Sequence, residues 1–168
     1  MSFKLTRRNM MTSTAAVTLV AATRLVAQDA QTVTVQMLNK HPENSKLRMV
    51  YYPRIAVVNP GDTVVFEATD RGHNSAAVEG MVPDGVELWD GTINEEISVT
   101  FDQPGIYGYE CTPHKSSGMV GLIIVQGEGM LDNLEAAKDV RQRGKAKKVW
   151  EEIWEEVEAQ GYLTEVSR

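Results

Sequence analysis

The sequence predicts an all-β Greek-key sandwich followed by two C-terminal α-helices. Three observations carry that expectation. Between Gln31 and Gln126, short β-rich runs alternate with turn signals at the spacing of a sandwich. After Gly127-Glu128-Gly129 the apolar period changes to a helical one. The 168 residues, 42% hydrophobic and 24% charged with a single cysteine, leave stability to a packed core rather than to an internal disulfide.

The elements follow in order. Thr32 to Met37 alternates polar and apolar side chains, so Val33, Val35 and Met37 share one face of a strand. Asn59-Pro60-Gly61-Asp62 is a turn, and the strand after it turns Val64, Phe66 and Ala68 to one side. Pro83-Asp84-Gly85 is a second turn. Ile93, Glu95, Ile97, Val99 and Phe101 line one face of the next strand, with Glu95 at its solvated end. Pro104-Gly105 turns the chain into Ile106–Cys111, and Met119–Gln126 closes the sandwich with the continuous apolar run Leu122-Ile123-Ile124-Val125. Leu131, Leu134, Ala137 and Val140 then fall at helical spacing, and Gly144 breaks the run. Trp150, Ile153, Trp154 and Val157 stand at i, i+3, i+4 and i+7 on a second helix, a stripe that belongs to the core. Glu151, Glu152, Glu155, Glu156 and Glu158 form its solvated face. The expected divisions are an export signal over 1–27, the sandwich over 28–128 and a helical extension packed on it over 129–168.

The signal reading rests on Arg7-Arg8 placed directly before the small-residue stretch Met10–Ala22, the layout of twin-arginine export to the bacterial periplasm. That stretch is too short, and too rich in Thr and Ser, to be a membrane anchor. Ala22, Ala27 and Ala30 are candidate cleavage positions, with Ala27 preferred. Cleavage there removes four cations and no acid, taking the net charge from −6 to −10. So acidic a chain lacks the clustered positive charge of a nucleic-acid binder.

One constellation carries chemistry. Cys111-Thr112-Pro113-His114-Lys115-Ser116-Ser117-Gly118-Met119 places a thiol, an imidazole and a thioether in one loop between strands. His73, 38 residues upstream of Cys111, follows another strand, and a Greek-key sandwich can bring the two loops to one pole. His₂Cys with a distant methionine is the donor set of an electron-transfer copper site. Sulfur suits Cu(I), imidazole also suits Cu(II), and four side-chain donors leave no open position for substrate. Taken singly, Cys111 reads as a small buried hydrophobe, His73 as a loop residue, Met119 as core and Lys115 as a solvent-exposed cation. His41 lies in a polar loop and has no expected function. The four donors together outweigh those separate readings.

From Thr32 onward the chain resembles the pseudoazurin family of small blue copper proteins, the cupredoxins. The matching stretches are Met37-Leu38-Asn39-Lys40, Asn59-Pro60-Gly61-Asp62-Thr63-Val64, Gly72-His73-Asn74, Val82-Pro83-Asp84-Gly85, Pro104-Gly105-Ile106-Tyr107-Gly108, Cys111-Thr112-Pro113-His114 and Gly118-Met119-Val120-Gly121. The C-x2-H-x4-M loop is shared with plastocyanins, and the helical tail separates pseudoazurins from them. The resemblance implies one type 1 copper ligated by His73, Cys111, His114 and Met119. It implies that Asn74 tethers the His73 loop to the ligand-bearing loop, with its backbone amide facing the Cys111 sulfur, and it counts Thr112 among the residues that surround the ligands. His114 is the implied electron port, with Pro113 and Met49 as an apolar rim. The implied function is a monomeric periplasmic one-electron carrier without catalytic residues. Its expected acceptor is a nitrite or nitrous oxide reductase, and its expected donor a cytochrome. Three departures stand out: Lys115 and Ser117 replace the family's usual aromatic and methionine, the chain is acidic where pseudoazurins are lysine-rich, and the export signal is of the twin-arginine type, which is not the family's expected route. Lys40, Lys46, Arg48 and Lys115 are candidates for a local positive patch. The alternatives are a copper delivery protein, a copper oxidase, disfavoured by the chain's three histidines, and a metal-free interaction module.

Overall fold

The computed structural model describes residues 29–164, so the export-signal reading lies outside the described residues. β1 (Thr32–Lys40) runs through the middle of the first sheet, antiparallel to β2 (Arg48–Tyr52) and parallel to β4 (Asp62–Glu67). β6 (Ile97–Phe101) closes that sheet against β4. The second sheet has the order β3 (Ile55–Val58), β8 (Val120–Val125), β7 (Gly105–Glu110), β5 (Ala76–Ala77). The inward residues of the two sheets interdigitate: Val35, Met37, Tyr51, Val64, Phe66 and Phe101 meet Tyr107, Tyr109, Ile123 and Val125.

The unbroken apolar run in β8 has a structural cause. Ile123 and Val125 face the sandwich core, while Leu122 and Ile124 face a second cluster, so every residue of the strand is buried. That cluster is roofed by α1 (Leu134–Asp139) and α2 (Gly144–Ala159). Of the stripe the helical spacing predicts, Trp150, Ile153 and Val157 are buried and Trp154 is half-buried against the cluster, while Ala146 adds a buried position outside that stripe. Two members of the acidic run are not simply solvated. Glu152 and Glu156 accept from the Arg54 guanidinium at 3.4 and 2.7 Å, tying α2 to the β2–β3 turn.

The strand expected to start at Ile93 starts instead at Ile97. Asn94 has φ +70°, which ends any ladder there, and its side chain accepts the Gly72 amide at 2.6 Å while its own amide donates to the His73 carbonyl at 2.8 Å. The segment therefore braces the His73 loop, and Ile93 is left exposed. The 59–62 turn is held by Asp62, whose carboxylate accepts the Asn59 and Gln31 amides, each at 2.7 Å. Burial alone would raise the Asp62 pKa; these hydrogen bonds outweigh it and hold the group below the ordinary carboxylate value.

Candidate metal centre

The Cys111–Met119 loop is wound by its own backbone. The Cys111 carbonyl accepts the His114 and Lys115 amides at 3.0 and 2.7 Å, and the His114 carbonyl accepts Ser117 and Met119 at 2.9 and 3.2 Å. The Cys111 amide donates to the Met119 carbonyl at 3.0 Å, closing the loop where β7 ends and β8 begins. Gly118, at φ +89°, makes the left-handed turn that the closure requires.

Three donor atoms converge at this pole. Cys111 Sγ lies 3.7 Å from His73 Nδ1 and 3.5 Å from His114 Nδ1, and the two nitrogens are 3.1 Å apart. The point equidistant from all three is about 2.0 Å from each, within the bonding range of imidazole nitrogen and close to that of thiolate sulfur around a first-row metal ion. His73 Nε2 is within hydrogen-bond reach of Asn39 Oδ1, at 3.1 Å. An amide oxygen only accepts, so the His73 proton sits on Nε2 and the Nδ1 lone pair faces the other donors. Burial, and then the neighbouring His114, lower the His73 pKa and keep it in the neutral form a ligand needs. His73, Cys111 and Met119 are fully buried and His114 is half-buried. Met119 lies with Cys111 in the sandwich core cluster.

Asn74 is the tether. Its side chain donates to the Gly91 carbonyl at 2.9 Å and to Thr112 Oγ1 at 3.0 Å, and accepts the Thr112 amide at 2.9 Å. Its own carbonyl accepts the buried Tyr51 hydroxyl at 2.7 Å. Burial raises the Cys111 thiol pKa, while the Asn74 and His114 amides aimed at the sulfur oppose that rise. Pro113 and Thr112 are exposed at the tip, and Met49 packs half-buried against the core cluster. Lys115 is exposed as expected, but its charge is not free: its ammonium sits 2.8 Å from Glu110. Lys40, Lys46 and Arg48 are exposed and make no ion pair among the described residues. His41 accepts the Glu43 and Asn44 amides at 3.1 and 3.2 Å, shaping the β1–β2 loop.

Sequence reasoning missed Asn39, Asn94 and Tyr51. Asn39 also donates its amide to Asp70 at 2.7 Å, so a chain runs from Asp70 through Asn39 to His73. Asn39→Leu is expected to weaken metal binding by about ten- to a hundredfold, since it frees the ring to turn and to change tautomer. Competition with a chelator of known affinity measures this, and an unchanged constant would show Asn39 to be a bystander.

A two-sheet sandwich with a buried His–Cys–His donor triangle at one pole defines a cupredoxin-type metal protein. Residues 27–126 match the copper-binding proteins of the plastocyanin/azurin family. The pseudoazurin of Methylorubrum extorquens AM1 is 43% identical over 112 residues, covering 67% of this chain and 72% of that protein. The pseudoazurin of Paracoccus pantotrophus is 42% identical over 118 residues, covering 70% and 78%. Among solved structures, a Sinorhizobium pseudoazurin superposes with a TM-score of 0.70 at 44% identity, covering 76% of this chain and 97% of that one. The Methylobacterium extorquens AM1 pseudoazurin gives 0.69 at 39% identity, covering 75% and 98%. The chain belongs to the plastocyanin/azurin family of copper-binding proteins and, within it, to the pseudoazurins. Its cofactor is one copper ion, and it is an electron carrier rather than an enzyme. No helix among the described residues is long and apolar enough to cross a membrane.

Proposed function

We propose that His73, Cys111, His114 and Met119 ligate the copper, and that the chain is a soluble periplasmic carrier exported by a signal over residues 1–27. On this reading it accepts one electron at a time from a cytochrome and delivers it to a nitrite or nitrous oxide reductase. The mature protein comprises the sandwich over 28–128 and its helical extension over 129–168, acting as a monomer. The donor triangle carries this reading, because three atoms on a circle of about 2.0 Å radius suit one small ion. Copper bound there supplies a Cu(I)/Cu(II) couple.

The chain's own residues do the rest. Asn39 and Asn74 fix the donors before the metal arrives, so little rearrangement accompanies a change of oxidation state. Burial of His73 and Cys111 excludes water from that side, leaving the His114 edge as the path by which an electron enters and leaves. Lys40, Lys46 and Arg48 supply the unpaired positive charge for a brief, salt-sensitive encounter with an acidic partner surface. Purified protein titrated with Cu(II) should develop one intense sulfur-to-copper charge-transfer band, saturating at one equivalent. The band should bleach with a one-electron reductant and return on reoxidation through many cycles. No band, or copper that leaves on reduction as a delivery protein requires, would refute the carrier reading.

A further inference from the structure

We propose that α2 is a positioning element for the ligand-bearing loop, with Val149 as its point of contact, so that the helix shapes a metal site it does not reach. The inference rests on the ligand assignment above. A Cβ built on Gly118 would lie 2.8 Å from Val149 Cγ2 and 3.4 Å from Lys145 Cγ, so the bare loop backbone rests directly on the helix. At the start of α2, a Cβ on Gly144 would lie 3.5 Å from the Ser116 carbonyl oxygen. The loop is thus backed at two places between His114 and Met119.

That backing is itself fixed. Trp150, Ile153 and Val157 are buried on the same helix, and Arg54 clamps Glu152 and Glu156 at 3.4 and 2.7 Å. Gly118 is bonded covalently to Met119, and its amide donates to the Lys115 carbonyl at 2.9 Å, in the turn held by His114. A displacement of Gly118 is therefore passed to the axial thioether and to the histidine at the electron port. In a type 1 site the axial distance tunes the potential. Helix packing thereby reaches the copper through one glycine.

Three variants test this. Val149→Ala removes the methyls under Gly118; it should lose copper to a chelator about tenfold faster than wild type, and its reduction potential and copper hyperfine splitting should move. Val149→Thr keeps the branched shape and should match wild type in all three. Val58→Ala, in the sandwich core where β3 pairs with Val125 at the end of β8 away from the loop, should lower the melting midpoint and leave potential and splitting unchanged. If Val149→Ala changes only the midpoint, or if Val149→Thr moves with it, the proposal is overturned. A wild-type protein without charge-transfer colour would instead overturn the ligand assignment, so the two failures are distinct.

Discussion

Cys111→Ala protein supplied with Cu(II) is expected to show none of the intense visible absorption of the wild type, and to hold copper more than about a hundredfold more weakly. The cause is charge. Of the four proposed donors only the Cys111 sulfur can be an anion; two imidazoles and a thioether are neutral, and the sulfur is fully buried. Without metal, burial raises the thiol pKa, the amides of Asn74 and His114 lower it, Glu110 raises it, and the balance lies above the ordinary value. The thiol is therefore protonated at neutral pH, and copper must expel that proton to bind as it does. The sign follows. Apparent affinity should rise with pH, about tenfold per unit, until pH passes the raised thiol pKa, and should fall as pH drops. His73, whose pKa is lowered by burial, contributes no proton at neutral pH. A pH indicator should record about one proton released per copper in the wild type, and none from this thiol in Cys111→Ala. Persistence of the band in that variant would move the copper elsewhere.

How much of this was legible in the sequence depended on how local the cause was. β1, β4 and β8 were readable because their periods report burial directly, one face for the first two and both faces for the third. The edge strands β2 and β3 flank Pro53-Arg54; β2 buries its residues unevenly, and β3 alternates in burial but is apolar throughout, Ile55-Ala56-Val57-Val58, so neither shows a polar–apolar alternation in the sequence. Ile93 keeps the two-residue spacing of Ile97 and Val99, yet Asn94 serves the Gly72-His73 loop, and that tertiary demand overrides the local pattern. Three of the four proposed donors share one loop and announce themselves by chemistry. Asn39 does not, because the hydrogen bond that gives it meaning spans 34 residues. The Arg54 clamp on Glu156 spans 102, so an acidic helix face looked merely solvated.

The same distance-blindness hides a position where one methyl group should do severe harm to the fold. Gly121→Ala is expected to destabilise the protein by about 3 kcal/mol, through overpacking rather than backbone strain. Gly121 in β8 stands directly opposite Tyr109 in β7, whose ring lies across it. A Cβ would overlap the hydroxyl end of that ring and come within 2.6 Å of the Arg54 carbonyl oxygen. Tyr109 has no room to retreat, being fully buried with Tyr51 and Phe66 at centroid distances of 4.6 and 4.9 Å. Nor does the carbonyl, which accepts the Leu122 amide at 2.8 Å and the Tyr109 hydroxyl at 3.3 Å. The damage should spread to the metal pole, because Tyr51 holds the Asn74 carbonyl at 2.7 Å. Urea midpoints of the single variants and of Gly121→Ala combined with Tyr109→Leu separate the two contacts. Removing the ring should recover about 1 kcal/mol relative to the sum of the single losses, since only the ring half of the clash is relieved. Strict additivity would mean that the Arg54 backbone alone excludes a side chain at residue 121.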